Sequence, residues 1–222
     1  MKIVAVLPVY NEQPHLVAEI AHALKSYVDE IVVVDDGSNK QFDYSALAGQ
    51  HVYLLNHLLN RGQGAALQTG TDYALRLGAD IIIHFDADGQ HRIADIPVLI
   101  EPIQNGRADF VFGSRFLGQS ANLPLVKKYF ILPIAKIINR LFTGLRLTDA
   151  HNGLRAFSRS AAQQIHLTQD RMAHATQYPY LVKKYKIKYT EVPVKIIYHE
   201  FGQGIDGGIK ILKELLIDKI IK

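Results

Sequence analysis

Two carboxylates one residue apart, Asp86-Ala87-Asp88, follow the apolar run that ends at Phe85. In such a pair one side chain is free to ligate a divalent cation while its neighbour meets ligand or water. Ligation by oxygen alone suits Mg2+ or Mn2+, and Mg2+ commonly takes few protein carboxylates together with substrate phosphates. A solvated Asp-Gly turn closing a strand has the same spelling, so the tripeptide by itself leaves both readings open. Gln90 and His91 offer further ligands, although a histidine beside a turn is more often surface decoration. A second acidic group, Asp35-Asp36-Gly37-Ser38, can accept hydrogen bonds from a ribose hydroxyl or a base N–H, or can simply cap a turn. In Pro8-Val9-Tyr10-Asn11-Glu12, Tyr10 could stack on a base and Glu12 could begin a helix. Asn60-Arg61-Gly62-Gln63-Gly64-Ala65-Ala66 opens a helix whose N–H groups favour anions, with a glycine-eased helix entry as the equal alternative.

These groups need a frame that brings them together. Four short β-branched runs, Ile3–Leu7, Glu30–Val34, His51–Leu55 and Asp80–Phe85, each end in polar or turn residues, and a fifth, Asp109–Phe112, runs into Gly113-Ser114-Arg115. Helix-like stretches over Glu12–Tyr27, Gly64–Leu77 and Ile93–Gln104 separate them. Apolar strands alternating with helices read as a parallel sheet covered on both faces, the α/β class. Ligands of such sheets bind beyond the C-terminal strand ends, where this chain delivers acids, amides and an arginine to one edge. Further on, Leu154–Phe157 reads as a returning strand, Ser158–Ile165 as a short helix, and Met172–Tyr185 as a helix that Pro179 should kink or restart. Tyr189–Tyr198 reads as a strand. Leu125–Thr143 and Gly208–Ile221 read as amphipathic helices.

Composition removes whole classes. With 222 residues, 48% hydrophobic and 21% charged, the chain is an ordinary globular one with room for a single large domain. The absence of cysteine excludes disulfides, thiolate zinc sites and cysteine nucleophiles. No run approaches the ~20 apolar residues that span a bilayer, and the opening Ile3–Leu7 is too short and too promptly broken by Pro8 for a secretory signal, so a cytoplasmic protein is expected. No Gly-x-Gly-x-x-Gly follows Leu7 and no Gly-Lys-Ser/Thr loop occurs, which argues against NAD enzymes and P-loop NTPases. The net charge of +4 is mild, but acids concentrate in the first half. Between Leu123 and Leu147, Lys127, Lys128, Lys136, Arg140 and Arg146 stand without an acid. An acidic zone followed by a basic one suggests an anionic ligand with a cation mediating at the acidic end. A nucleic-acid partner is not expected.

Taken jointly and in this order, the segments resemble the family 2 glycosyltransferases of GT-A fold, and most of all their dolichyl/polyprenyl-phosphate mannose synthase branch. The matching pieces are residues 8–12, 33–38, 60–66, 86–91 and 113–115, then Asp149-Ala150-His151-Asn152-Gly153-Leu154-Arg155-Ala156-Phe157 and Glu191-Val192-Pro193-Val194. The resemblance implies one domain over 1–222, with a nucleotide-sugar-binding half at 1–118 and an acceptor-side half at 119–222. It implies that Pro8, Tyr10, Glu12, Asp35, Asp36, Gly64 and Asp86 surround the donor, and that Asp86, Asp88 and Gln90 hold Mg2+ or Mn2+ at the diphosphate. Arg115 would reach the phosphates, Asp149 and Arg155 would face the reaction centre, and Lys127, Lys128 and Arg140 would meet an acceptor phosphate. Gly202-Gln203-Gly204 and Gln177 depart from the family pattern, which bears on acceptor identity.

The implied reaction is an inverting transfer of a hexose from a GDP- or UDP-sugar. A lipid-phosphate acceptor already presents an anionic oxygen and needs only positioning; a saccharide hydroxyl needs a base, for which Asp149 is the candidate. The basic helix 125–143 would lie on anionic headgroups, a peripheral contact at the cytoplasmic face of the membrane, or pack on the sheet with a solvated edge. A haloacid-dehalogenase-type phosphatase would want threonine where Gln90 stands and would leave residues 8–12 and 33–38 unexplained. A sugar-binding module without catalysis would not need the acids.

Overall fold

The apolar runs pair into one seven-stranded sheet. In the computed structural model, which describes residues 1–39, 47, 51–117 and 144–197, the strands are β1 (Ile3–Val9), β2 (Glu30–Asp35), β3 (Val52–Asn56), β4 (Ile81–His84), β5 (Phe110–Ser114), β6 (Arg155–Ser158) and β7 (Tyr189–Pro193). Their order is β3-β2-β1-β4-β6-β5-β7. β3, β2, β1 and β4 run parallel, as do β5 and β7, whereas β6 lies antiparallel between β4 and β5. This is the returning strand expected from Leu154–Phe157, displaced by one residue. The helices are α1 (Pro14–Leu24), α2 (Gln63–Arg76), α3 (Ile96–Gln104, entered through a 3-10 turn at Ile93–Asp95), α4 (Arg159–Gln164) and α5 (His174–Lys184).

Both sheet faces are apolar, and alternate residues of each strand point to opposite sides. Ala5, Leu7 and Val9 of β1 join α1 and α3 in one core, through Val17, Ile20, Leu24, Leu99 and Ile103. Val4 and Val6 join α2, α4 and α5 in the other, through Leu67, Ala161, Tyr178 and Val182. Burial on two faces explains why β1, β2 and β4 read as continuous apolar runs rather than alternating ones. Gly70 of α2 lies so close to Val6 that a Cβ there would collide with its side chain.

The helix does not restart at Pro179. α5 runs through it, with Ala175, Tyr178, Pro179, Leu181 and Val182 buried along the helix. A proline removes one helical hydrogen bond, but a face packed on the sheet outweighs local propensity. Among the described residues no helix is long and apolar enough to cross a membrane. The stretches 125–143 and 208–221, with Lys127, Lys128 and Arg140, and Gly202-Gln203-Gly204 lie outside the described residues.

Candidate active site

The C-terminal ends of β1, β2 and β4 surround a cavity of about 490 Å³, walled by Pro8, Tyr10, Glu12, Asp36, Asp86 and Asp88 among others. The loop after β1 takes its shape from Asn11, at φ 56: its N–H donates to Ser38 Oγ at 2.8 Å and its Oδ1 accepts the Asn39 N–H at 2.9 Å. The post-β1 and post-β2 loops are therefore laced together, and Tyr10 is left exposed at the rim. Asp35 does not reach the cavity. It is buried, with Oδ1 accepting from the N–H (3.1 Å) and the hydroxyl (2.6 Å) of Ser38, so its work is to close the turn.

Asp36 has a double allegiance. It touches the cavity, yet it is only 2% exposed and its carboxylate is saturated by the protein. Oδ1 meets His57 Nδ1 at 2.7 Å and accepts the Arg61 N–H at 3.0 Å, while Oδ2 accepts from Asn60 Nδ2 at 3.0 Å and the Gly62 N–H at 2.6 Å. The anion at the entry to α2 is thus the chain's own side chain. The glycines there serve the same enclosure. Gly62 has φ 106, and a Cβ on it would lie 2.5 Å from Asp170 O. A Cβ on Gly64 would collide with Gln169 O, and Asp170 O accepts the Ala65 N–H at 3.2 Å. Gly64, expected among the residues that surround the donor, admits the backbone of residues 169–170, and it does not line the cavity.

Asp86 is held from two sides: Gln63 Nε2 donates to Oδ1 at 2.7 Å and His91 Nε2 lies 3.2 Å from Oδ2. Burial opposes its ionisation, but the hydrogen bond and charge of His91, with Arg155 and His174 beyond, keep its pKa below the ordinary value. His91 is buried, not surface decoration, and its edge meets Phe85. Asp88 is the freer carboxylate. Its Oδ1 accepts the Gln90 N–H at 2.9 Å, and no other described group bonds it. Gln90 itself is exposed and off the cavity wall. Partial burial, then the charges of Asp88 and Asp86, raise the pKa of Glu12. Three carboxylates that repel one another, one with an open oxygen, fit an oxygen-ligated divalent cation. Among the described residues no three His, Asp or Glu side chains form a metal-holding group by themselves.

The opposite half of the edge is built from the ends of β5 and β7 and the chain entering β6. Asp149, 4% exposed, pairs with Arg115 in a two-pronged ion pair, Nε to Oδ2 at 2.6 Å and Nη2 to Oδ1 at 2.9 Å, and also accepts the Arg115 N–H at 3.1 Å. Glu191 accepts from the Thr148 N–H, the Thr148 hydroxyl and the Asp149 N–H at 2.8 to 3.0 Å, and Ser114 Oγ lies 2.6 Å from Thr148 Oγ1. Arg155 was expected to face the reaction centre. It is 1% exposed, donates to Asn152 O at 2.7 Å and Gly153 O at 3.2 Å, and lies 4.4 Å from the centre of the Tyr178 ring. As the first residue of β6 it points into the core, where its charge acts on Asp86 only through space.

The family model described as Glycosyl transferase family 2 matches residues 4–166, most of the chain and all but one of the strands. The chain belongs to this family. Among its relatives are a UDP-N-acetylglucosamine–dolichyl-phosphate N-acetylglucosaminyltransferase of Methanococcus voltae, 35% identical over 98% of this chain and 96% of that protein, and an undecaprenyl-phosphate mannosyltransferase of Micrococcus luteus, 29% identical over 94% of this chain and 89% of that protein. Among solved structures, the glucosyl-3-phosphoglycerate synthase of Mycobacterium tuberculosis in complex with uridine diphosphate superposes with a TM-score of 0.67 over 93% of this chain and 74% of that one, at 18% identity. That likeness concerns the fold, a GT-A arrangement of mostly parallel strands between helices.

Several residues that shape this glycosyltransferase's cavity escape a reading by motif. His57 and Asn60 hold Asp36, Gln63 and His91 hold Asp86, and Arg171 and Met172 complete the wall from the chain between α4 and α5. The pair of glycines at 62 and 64 was the available signal for a close approach, but nothing local says that residues 169–171 are what approaches. Gln177, a departure from the family pattern, has a structural use: its Oε1 accepts the N–H groups of Thr168 and Gln169 at 3.1 Å, and its Nε2 donates to Thr168 Oγ1 at 2.7 Å. A carboxylate could take the first two bonds, and could keep the third only with its direction reversed, accepting from the Thr168 hydroxyl.

Proposed function

We propose that this family 2 glycosyltransferase moves a hexose from a nucleoside-diphosphate sugar to a polyprenyl- or dolichyl-type phosphate, with inversion at the anomeric carbon. The carrying observation is the cavity where Tyr10, Glu12 and Asp36 surround space for a nucleoside and Asp86 and Asp88 stand where a diphosphate would end. Asp88, with Asp86 beside it, would hold Mg2+ or Mn2+, while Gln90, off the cavity wall, would not. Such an ion supplies charge neutralisation to the departing diphosphate. The Mycobacterium tuberculosis synthase was crystallised with Mn2+ and with Mg2+ beside uridine diphosphate, which supports the same use here.

In the displacement, the bond from the anomeric carbon to the β-phosphate oxygen breaks with its electron pair staying on that oxygen. An acceptor phosphate oxygen forms the new bond from the opposite face, and no proton changes hands. The Arg115–Asp149 pair bears on the choice of acceptor. Three of the roughly four acceptor sites of the buried Asp149 carboxylate are taken by Arg115, a poor arrangement for taking a proton from a hydroxyl, which favours a phosphate acceptor over a saccharide one. The names of the Methanococcus voltae and Micrococcus luteus relatives support the same acceptor class. A lipid acceptor also implies work at a membrane surface, from its cytoplasmic face.

The test is transfer from radiolabelled UDP- and GDP-sugars, with Mn2+ or Mg2+, to short polyprenyl phosphate. Label extracted into organic solvent, and abolished by EDTA, is the expected result. Label passing only to added saccharide, or undiminished transfer in EDTA, would overturn the acceptor or the metal assignment respectively.

A further inference from the structure

Four carboxylates line the cavity, Glu12, Asp36, Asp86 and Asp88, and one cationic side chain does, Arg171. The other arginines near the edge are spoken for. Arg115 is paired with Asp149, Arg155 lies under Tyr178, and Arg61 faces Asp170 at 3.6 Å. The Arg171 guanidinium has no ion pair or hydrogen bond among the described residues, and the side chain is exposed. Its root, by contrast, is fixed. Arg171 O accepts from His174 Nδ1 at 2.7 Å and from the His174 N–H at 3.2 Å. Asp170 O is bonded to Ala65 at the entry of α2, and the Arg171 Cα lies 3.0 Å from where a Cβ on Gly62 would stand. A rooted arginine with an unengaged head, lining the same cavity as a surplus of negative charge, is arranged for a ligand that is itself anionic.

Resting on the donor reading above, we propose that Arg171 grips the diphosphate of the nucleotide-sugar and stabilises it as a leaving group, with His174 as the residue that positions it. The planar guanidinium matches two phosphate oxygens at once, which an ammonium cannot do. Charge that grows on the departing oxygen is best met by a donor already in place. This role explains Gly62 and Gly64 as well, because any side chain there would push residues 169–171 away from the cavity.

Calorimetric titration with UDP and GDP, and with UMP and GMP, in the presence of Mn2+ tests the assignment on the full chain. The native protein should bind one of the two diphosphates. Arg171→Ala should weaken that affinity by about tenfold or more, as loss of a charge-assisted hydrogen bond does. It should change affinity for the matching monophosphate by less than about threefold. Arg171→Lys should recover part of the loss, and Arg61→Ala, which removes a neighbouring but paired charge, should leave affinity within about twofold. Native protein that binds neither UDP nor GDP would overturn the donor reading and this assignment with it. Native binding with equal affinity in Arg171→Ala would overturn the assignment alone. An Arg171→Ala protein that binds neither diphosphate nor monophosphate but melts as the native one does would assign Arg171 to the nucleoside and overturn the diphosphate role.

Discussion

The two halves of the catalytic edge manage charge in opposite ways. Beside β5 and β7 the described charges are met by the protein itself: Arg115 on Asp149, Glu191 on the backbone that carries Asp149, and Arg155 on carbonyls and the Tyr178 ring, with its Nη1 alone left without a hydrogen bond. Beside β1 and β4, Glu12 and Asp88 face a cavity with no described cation bonded to them, and Glu12 ionises reluctantly, first because it is partly buried and then because Asp88 and Asp86 stand near. A region that satisfies itself is built to hold shape. A region that carries unrelieved repulsion is built to receive something, because folding alone gains nothing from three converging carboxylates.

The sharpest way to break this contrast is Asp88→Asn. If the open half is for a ligand, sugar transfer should fall by about 10³-fold, the scale of losing a charged group at a transition state, while the melting temperature stays within a few degrees or rises as repulsion on Glu12 is relieved. A cooperative loss of folding without a matching loss of transfer would place Asp88 in the self-satisfied class. Asp36→Asn should do the reverse. Asp36 lies in the open half but bonds only to the protein, so the amide, facing two backbone N–H groups, His57 and Asn60, should cost about 3 to 4 kcal/mol in urea unfolding.

A slightly smaller effect comes from acid. Burial, then the charge of Arg155, lowers the pKa of His174 from 6.5 to about 4. The unfolded chain takes up this proton first, so the stabilisation is complete above about pH 6.5 and declines as pH falls towards about 4. The loss should be about 3 kcal/mol over that window. His84, whose Nδ1 meets Tyr178 Oη at 3.1 Å and whose Nε2 meets Thr71 Oγ1 at 2.9 Å, is displaced in the same direction by burial. His174→Asn keeps a donor for Arg171 O and should flatten part of the acid limb. An unchanged limb would show that His174 is not buried in its neutral form.

The sheet and its ligand edge were legible because β1, β2 and β4 are apolar on both faces and each ends in polar residues, a pattern set by local sequence. The placement of β6 between β4 and β5 was not, since its pairing joins residues far apart in the chain. At the site, residue types at strand ends pointed to Asp86, Asp88 and Asp36, but not to what holds them. Gln63, His57 and Arg171 are ordinary polar residues until the fold brings them to a carboxylate or a cavity. Gly64 and Arg155 show the converse: each fits a motif, yet the space around each is filled by the chain itself.

The reversed strand sets a stride. With β6 wedged between them, the ends of β4 and β5 stand two strand spacings apart, roughly 9.5 Å, and because β6 runs backwards its beginning enters at that same rim. Gly153, just ahead of it, lies so close to Asp86 that a methyl group there would strike the carboxylate. The gap between the end that would release a diphosphate and the end that would present an acceptor is thus measured by backbone, a ruler that no side-chain rotation can shorten.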